Sequence, residues 1–323
     1  MTTKRRRGTE HRLRHVGALV PPDGFGTVAS VGMGPDGPVV MWAGGRDTGH
    51  AVVQAGRRDL GKLGRTVALA SYTTSNLQPR DVVIAAVPVA QAFVQPLPDG
   101  GYLIARSRCA WTSEGAEKNA LVVGTDGRVV RRGTLGDGIA HLQVDRDGRI
   151  WVGYFDEGIG GNNGWRFDGP EPLGSSGLVR WSLGFEKEWE FPTSTGTVIA
   201  ECDAMNVSDD GVIAYDFGAE QLIRVRDGQT SVHPTGTEGV RGVVFTGDAV
   251  GLVGSSADRN LFTTGTLGAE SFNQRRRGYL SMPSGKPVPR GLGPECRGST
   301  LNLFDGNDWY QLDLAQPQAT DQA

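Results

Sequence analysis

One unit recurs along this chain and constrains its fold more than any other feature. It is an alternating apolar run, a turn carrying Asp-Gly, and a second β-type run. It appears as TVASVGMGPDGPVVMWAGG from Thr27, AFVQPLPDGGYLIARSR from Ala92, IAHLQVDRDGRIWVGYFDEG from Ile139 and DAMNVSDDGVIAYDFG from Asp203. Two weaker copies follow: RGVVFTGDAVGLVGSS from Arg241, whose Asp248 turn has lost its Gly, and RGSTLNLFDGNDWYQLDL from Arg297. Asp-Gly between alternating apolar runs supplies the positive φ of a tight β turn, so each copy predicts a hairpin. Glycine makes up 49 of the 323 residues, about twice ordinary usage. That surplus fits a chain of many turns and short strands.

The turn aspartates are Asp36, Asp99, Asp147, Asp210, Asp248 and, less regularly, Asp305. A four-stranded blade takes ~40–50 residues, close to their mean separation, and the longer intervals must hold extra loop or strand. Further strands are expected at HAVVQAG from His50, TVALASY from Thr66, DVVIAAVPV from Asp81, ALVVGTDGRVVRRG from Ala120, GLVRWSLG from Gly177 and QLIRVRDG from Gln221. No segment sustains a 3.6-residue apolar period, so helix is minor. The expected fold class is all-β: a β-propeller of about six blades, seven being allowed by the spacing. A β-sandwich is the alternative, but it does not require one two-strand signature to return six times. The organisation expected is one domain over 1–323, with a flexible basic arm (1–15) and a polar tail (315–323). A strand from one terminus is a common means of closing a blade begun at the other.

The segment DRDGRIWVGYFDEG (Asp145–Gly158) resembles the short propeller repeats of sensor domains of hybrid two-component regulators. Their repeat reads D-x-x-G-x-hydrophobic-W-hydrophobic-G, matched here by Asp145, Gly148, Trp151 and Gly153. The other copies match in part, with Met41-Trp42 and Ile213-Ala214 at the Trp step. The resemblance implies a propeller fold. The sensor function does not transfer, because function belongs to a site rather than to a fold.

Charge and motifs exclude several classes. The formal net charge is -3, which points to neither a nucleic-acid nor a membrane partner. The clusters Arg5–Arg7 and Arg275–Arg277 lack interleaved aromatics and read as solvated. No apolar run approaches the ~18 residues of a membrane span. The basic start is followed by polar residues where a signal peptide needs an apolar stretch. Cys109, Cys202 and Cys296 are odd in number and widely spaced, as expected of buried reduced thiols. A cytoplasmic location follows as the expectation. There is no phosphate-binding GxxxxGK[ST], no HExxH and no GxSxG, and no two histidines stand at metal-ligand spacing.

Propeller ligands sit at the mouth of the central channel, near the starts of the innermost strands. The positions six to ten residues before each turn hold Thr27 and Ser30, then Gln91, then Asp137 and His141. Next come Glu201 and Asp203, then Glu238 and Arg241, and last Glu295 and Arg297. In a ring these groups would converge from different blades. Two functional readings stand. One is a binding module for a protein or small-molecule ligand, using one face or the channel mouth, with no cofactor. The other is a metal-assisted hydrolase or lyase. There His141 would be the general base, Asp203 or Glu201 a divalent-metal ligand or orienting acid, and Arg241 or Arg297 the anion-binding group. The competing structural reading makes these groups salt bridges between blades. The loop YFDEGIGGNNGW (Tyr154–Trp165) offers the oxygens of Asp156, Glu157, Asn162 and Asn163, but without calcium-loop spacing; a glycine-rich surface or recognition loop is expected.

Overall fold

The computed structural model describes residues 9–44, 65–88 and 90–316. Arg5–Arg7 and the strand expected at 50–56 lie outside the described residues. The chain opens with β1 (Thr9–Arg12) and β2 (Arg14–Ala18). Blade one follows as β3 (Phe25–Gly34), β4 (Gly37–Gly44), β5 (Arg65–Thr73) and β6 (Asn76–Val87). Blade two begins with β7 (Ala92–Pro96) and β8 (Tyr102–Arg106). It takes in a small hairpin, β9 (Trp111–Thr112) and β10 (Gly115–Ala116), and ends with β11 (Ala120–Val123) and β12 (Val129–Gly133). Blade three is β13 (Ile139–Val144), β14 (Ile150–Tyr154), β15 (Leu178–Trp181) and β16 (Lys187–Glu190). The short helix α1 (Asp156–Gly160) lies in the loop after β14. Blade four is β17 (Cys202–Ser208), β18 (Gly211–Asp216), β19 (Gln221–Arg226) and β20 (Gln229–Pro234). Blade five is β21 (Gly242–Thr246), β22 (Ala249–Val253), β23 (Leu261–Leu267) and β24 (Phe272–Ser281). Blade six is β25 (Glu295–Arg297), β26 (Thr300–Asp305) and β27 (Asp308–Asp313). The fold is a six-bladed β-propeller. Its inner strands β3, β7, β13, β17, β21 and β25 touch in sequence around the ring, β25 meeting β3.

The chain's own start closes the ring. The fourth strand of blade six is β2, antiparallel to β27, while β1 lies parallel along the outer edge of β24. The arm expected to be free through residue 15 is therefore strand from Thr9 onward. The arginines drew attention away from His11, Leu13 and Leu19, which are buried. Leu13 packs between blades five and six with Val253, Phe262 and Leu301. Leu13→Ala is expected to lower stability by about 2–5 kcal/mol, the usual loss for emptying a buried leucine site, measurable as a shift in the urea midpoint.

Each of the six apolar clusters straddles two neighbouring blades. Leu103 and Ala105 of blade two meet Leu142 and Val152 of blade three. At the closing seam, Trp309 of blade six meets Val40, Trp42 and Tyr72 of blade one. The alternation legible in the sequence therefore feeds two faces per blade, and every blade depends on both neighbours.

Four of the Asp-Gly turns close first hairpins as expected. In the third copy, Asp145 Oδ1 accepts from the backbone of Asp147 and Arg149 at 3.0 and 2.9 Å, while Oδ2 accepts from Trp151 Nε1 at 3.1 Å. Gly148 holds φ +83°, so the spacing from Asp145 through Gly148 to Trp151 is one hydrogen-bonded turn. In the fifth copy the positive φ moves back one position, to Gly247 at +54°. The sixth copy was misplaced by one strand: Asp305-Gly306 joins β26 to β27, the second hairpin of blade six. Its first hairpin turns at Gly298-Ser299.

Candidate binding site in the central channel

Side-chain amides divide the channel at mid-height. Gln143, on β13, donates through Nε2 to the carbonyl of Cys296 on the opposite blade, and its Oε1 accepts from Val207 N, both at 2.8 Å. Asn206, on β17, donates to the carbonyls of Val243 and Gly298 at 2.7 and 2.8 Å and accepts from Gly298 N at 2.7 Å. Gln95, on β7, accepts from Val144 N at 3.3 Å, and Arg297 donates to Val144 O at 2.8 Å. Inner strands in a propeller pair on one edge only, so their free backbone groups need such partners. The three amides each stand four residues before a turn aspartate. Sequence reasoning missed this signal by looking only six to ten residues upstream. In the first copy the equivalent position is Gly32. A Cβ there would lie 1.8 Å from Val94 O and 2.7 Å from Gln95 Nε2. Gly32→Ala is therefore expected to lower stability by about 1–3 kcal/mol, as overpacking does, again read from the urea midpoint.

On the strand-start side of this belt lies a cavity of about 140 Å³, lined among others by Gln95, His141, Gln143, Arg241 and Glu295. These side chains come from blades two, three, five and six. Burial raises the Glu295 carboxyl to about 7, and among the described residues it accepts no side-chain hydrogen bond. Burial also lowers the His141 pKa, opposed by a backbone hydrogen bond to Asp203, so the imidazole is neutral near pH 7. At the lip stand Asp203, raised chiefly by burial and drawn back by Arg241, and Glu201, raised by burial and then by Asp203, Asp156 and Asp216. Of the predicted set, His141, Arg241 and Glu295 line this one cavity, with Asp203 coupled to Arg241 and Glu201 to Asp203.

Three other candidates do not join them. Asp137 is buried, but Arg108 holds it at 3.0 Å, Cys109 N donates to it at 2.7 Å, and Asn163 donates at 3.0 Å. It ties the long loop of blade three to blade two. Glu238 is exposed, beside Ser256, and lines none of the channel cavities. Arg297 faces the hairpin end, where burial lowers its pKa to about 10. It lines a separate cavity of about 300 Å³ with Asp36, Arg146 and Asp209. Across that end Arg146 donates to both Asp209 oxygens at 3.1 Å and to Asp36 at 3.0 Å, joining the turns of blades one, three and four. Of the earlier positions, Ser30 donates to Ala92 O at 2.7 Å, which joins blades one and two.

The oxygen-rich loop Tyr154–Trp165 is packed against the inserted hairpin of blade two. Trp165 packs against Trp111 with ring centroids 5.4 Å apart and planes tilted by 57°, and donates to Cys109 O. Glu157 pairs with Arg108. Among the described residues no three His, Cys, Asp or Glu side chains are grouped to hold a metal ion. Among the same residues no helix is long and apolar enough to cross a membrane. All three cysteines are free and buried, and burial raises the Cys109 thiol to about 12.

No protein-family model matches this chain, and no curated protein is significantly similar to it in sequence. Solved structures share its architecture. One is Hsv2 of Kluyveromyces marxianus, with a TM-score of 0.50 and 9% identity over 90% of this chain and 77% of that one. Another is the WD40 domain of Neurospora crassa Pan2, with a TM-score of 0.46 and 11% identity over 96% of each chain. A third is regucalcin, a calcium-binding protein of Agrobacterium tumefaciens, with a TM-score of 0.45 and 11% identity over 94% and 95%. At 9% identity the likeness to Hsv2 is one of fold alone.

Proposed function

We propose that this propeller is a binding module that takes a small polar ligand through the strand-start mouth of its channel. The carrying observation is Glu295, a half-buried carboxyl that, among the described residues, makes no side-chain hydrogen bond and lines a cavity shared by all six blades. Burying an ionisable group unpaired is costly, and such groups gather where a ligand completes them. The cavity of about 140 Å³ matches the size that admits a benzene-sized molecule. The amide belt supports the same reading, since it gives the cavity a floor.

A thermal-shift screen of small charged metabolites tests this on the full chain, with Glu295→Leu and Arg241→Ala alongside. A ligand at one hundred times its Kd stabilises the folded state by about 2.7 kcal/mol. The expected result is a set of hits lost in both variants. Hits that persist unchanged in both would place binding elsewhere and overturn the reading.

A further inference from the structure

We infer that the ligand of this mouth is a small zwitterion, with an ammonium group seated against Glu295 and an acidic group on a guanidinium shelf beside it. This rests on the reading of the mouth as a binding site. The shelf is a second cavity, of about 500 Å³, formed by the loop after β22 and the segment after β24. It is lined by Arg241, Arg259 and Arg290 together with Ser255, Ser256 and Asp258. Arg241 lines both volumes, so the two adjoin across its side chain.

The charges on the two sides are opposite and only partly answered by the protein. On the shelf, Arg259 and Arg290 stand with the one carboxylate of Asp258, while Arg241 is shared with Asp203. Arg259 donates to the backbone carbonyls of Arg290 and Leu292. Those acceptors fix the group in place and leave its positive charge uncancelled. In the cavity the titratable groups are His141 from β13, Arg241 before β21 and Glu295 on β25, with Asp203 and Glu201 at the start of β17 coupled to them from outside its lining. His141 is neutral, and Asp203 is the carboxyl coupled to Arg241. Glu295 is therefore left to meet a cation brought from outside. Glu295 is partly desolvated before the ligand arrives, which removes part of the usual cost of forming a buried ion pair. A monopolar amine would leave the shelf unanswered, and a monopolar acid would leave Glu295 unanswered. A ligand carrying both charges a few bonds apart satisfies the two together.

The test is calorimetric titration of the full chain at pH 8 with glycine, 4-aminobutyrate and 6-aminohexanoate. Butylamine and butyrate serve as the one-charge halves. At least one amino acid is expected to bind tenfold or more tightly than either half. Glu295→Gln should abolish its advantage over butyrate, and the double variant Arg259→Ala/Arg290→Ala its advantage over butylamine, with circular dichroism confirming that both variants fold. Equal binding of a one-charge half, or no binding of any of the five compounds, would overturn the assignment. Screened ligands that still depend on Glu295 while these compounds fail would reject the zwitterion and leave the binding site standing. If no ligand depends on Glu295 or Arg241, both readings fall.

Discussion

Asn206→Leu is expected to lower the unfolding free energy by about 2–6 kcal/mol, since it orphans two backbone groups at about 1–3 kcal/mol each, the Gly298 carbonyl keeping Phe245 N. Leucine keeps the side-chain volume but makes none of the three bonds. The carbonyls of Val243 and Gly298 and the amide of Gly298 lose partners now held at 2.7–2.8 Å. Asn206 is fully buried, so the Val243 carbonyl finds no ready replacement, while Gly298 at the hairpin-end cavity is half-buried. Against a total stability of roughly 5–15 kcal/mol, such a loss leaves the protein marginal. The bonds join blade four to blades five and six, so the ring should loosen there first. Urea unfolding measures the magnitude. Amide exchange should locate the loss in β21 and β25. A change under about 1 kcal/mol would mean that the amides fill the channel without holding it, that figure being the typical net worth of one hydrogen bond.

Glu295→Gln is expected to act in the opposite direction and to depend on pH. Burial raises this carboxyl from 4.5 to about 7 in the folded protein. Above pH 7 the native protein keeps an ionised carboxylate in a desolvated place, whereas the unfolded chain keeps it in water. The shift from 4.5 to about 7 corresponds to at most about 3 kcal/mol of destabilisation, fully present at pH 8. It fades as pH falls through 7 and is gone below 4.5, where the group is protonated in both states. Glutamine fills the same volume without the charge. The variant should therefore be more stable than the parent at pH 8 and equal to it near pH 4. A variant less stable at pH 8 would show that Glu295 forms a stabilising ion pair. His11, His141 and His233 have pKa values lowered by the same cause, desolvation. Their pH range is the opposite one: they leave stability unchanged above about 6.5 and weaken the folded state as pH falls through 6.5. Comparing the variant with its parent at each pH cancels that contribution.

The fold was legible because its signals are local. Alternation and Asp-Gly turns act within ten residues, and glycine's backbone freedom is written in its identity. Blade six was read one hairpin late because Gly298-Ser299 forms a tight turn without aspartate, while Asp305-Gly306 advertises one. The closing strands were hidden by the arginines around them. The candidate site was legible only as a set of strand positions. Counting back from the turns gathered His141, Asp203, Arg241 and Glu295 but also Asp137, whose fate is decided by Arg108 and Asn163 in other loops. Glu295 and Arg297 stand two apart on β25 yet serve opposite ends of the channel, because the belt of Gln143 and Asn206 lies between those ends. The belt had a sequence signature, an amide four residues before three turn aspartates. Its meaning depends on partners 37 to 153 residues away in the chain.

Carbon-13 titration of the Glu295 carboxyl, assigned by comparison with Glu295→Gln, reaches the centre of this reading most directly. A midpoint near 7 in the free protein, moving down when a cationic ligand binds, is the expected result. A midpoint near 4.5 in the free protein would show a hydrated, ordinary surface carboxylate, and the channel mouth would then hold no group waiting for a ligand.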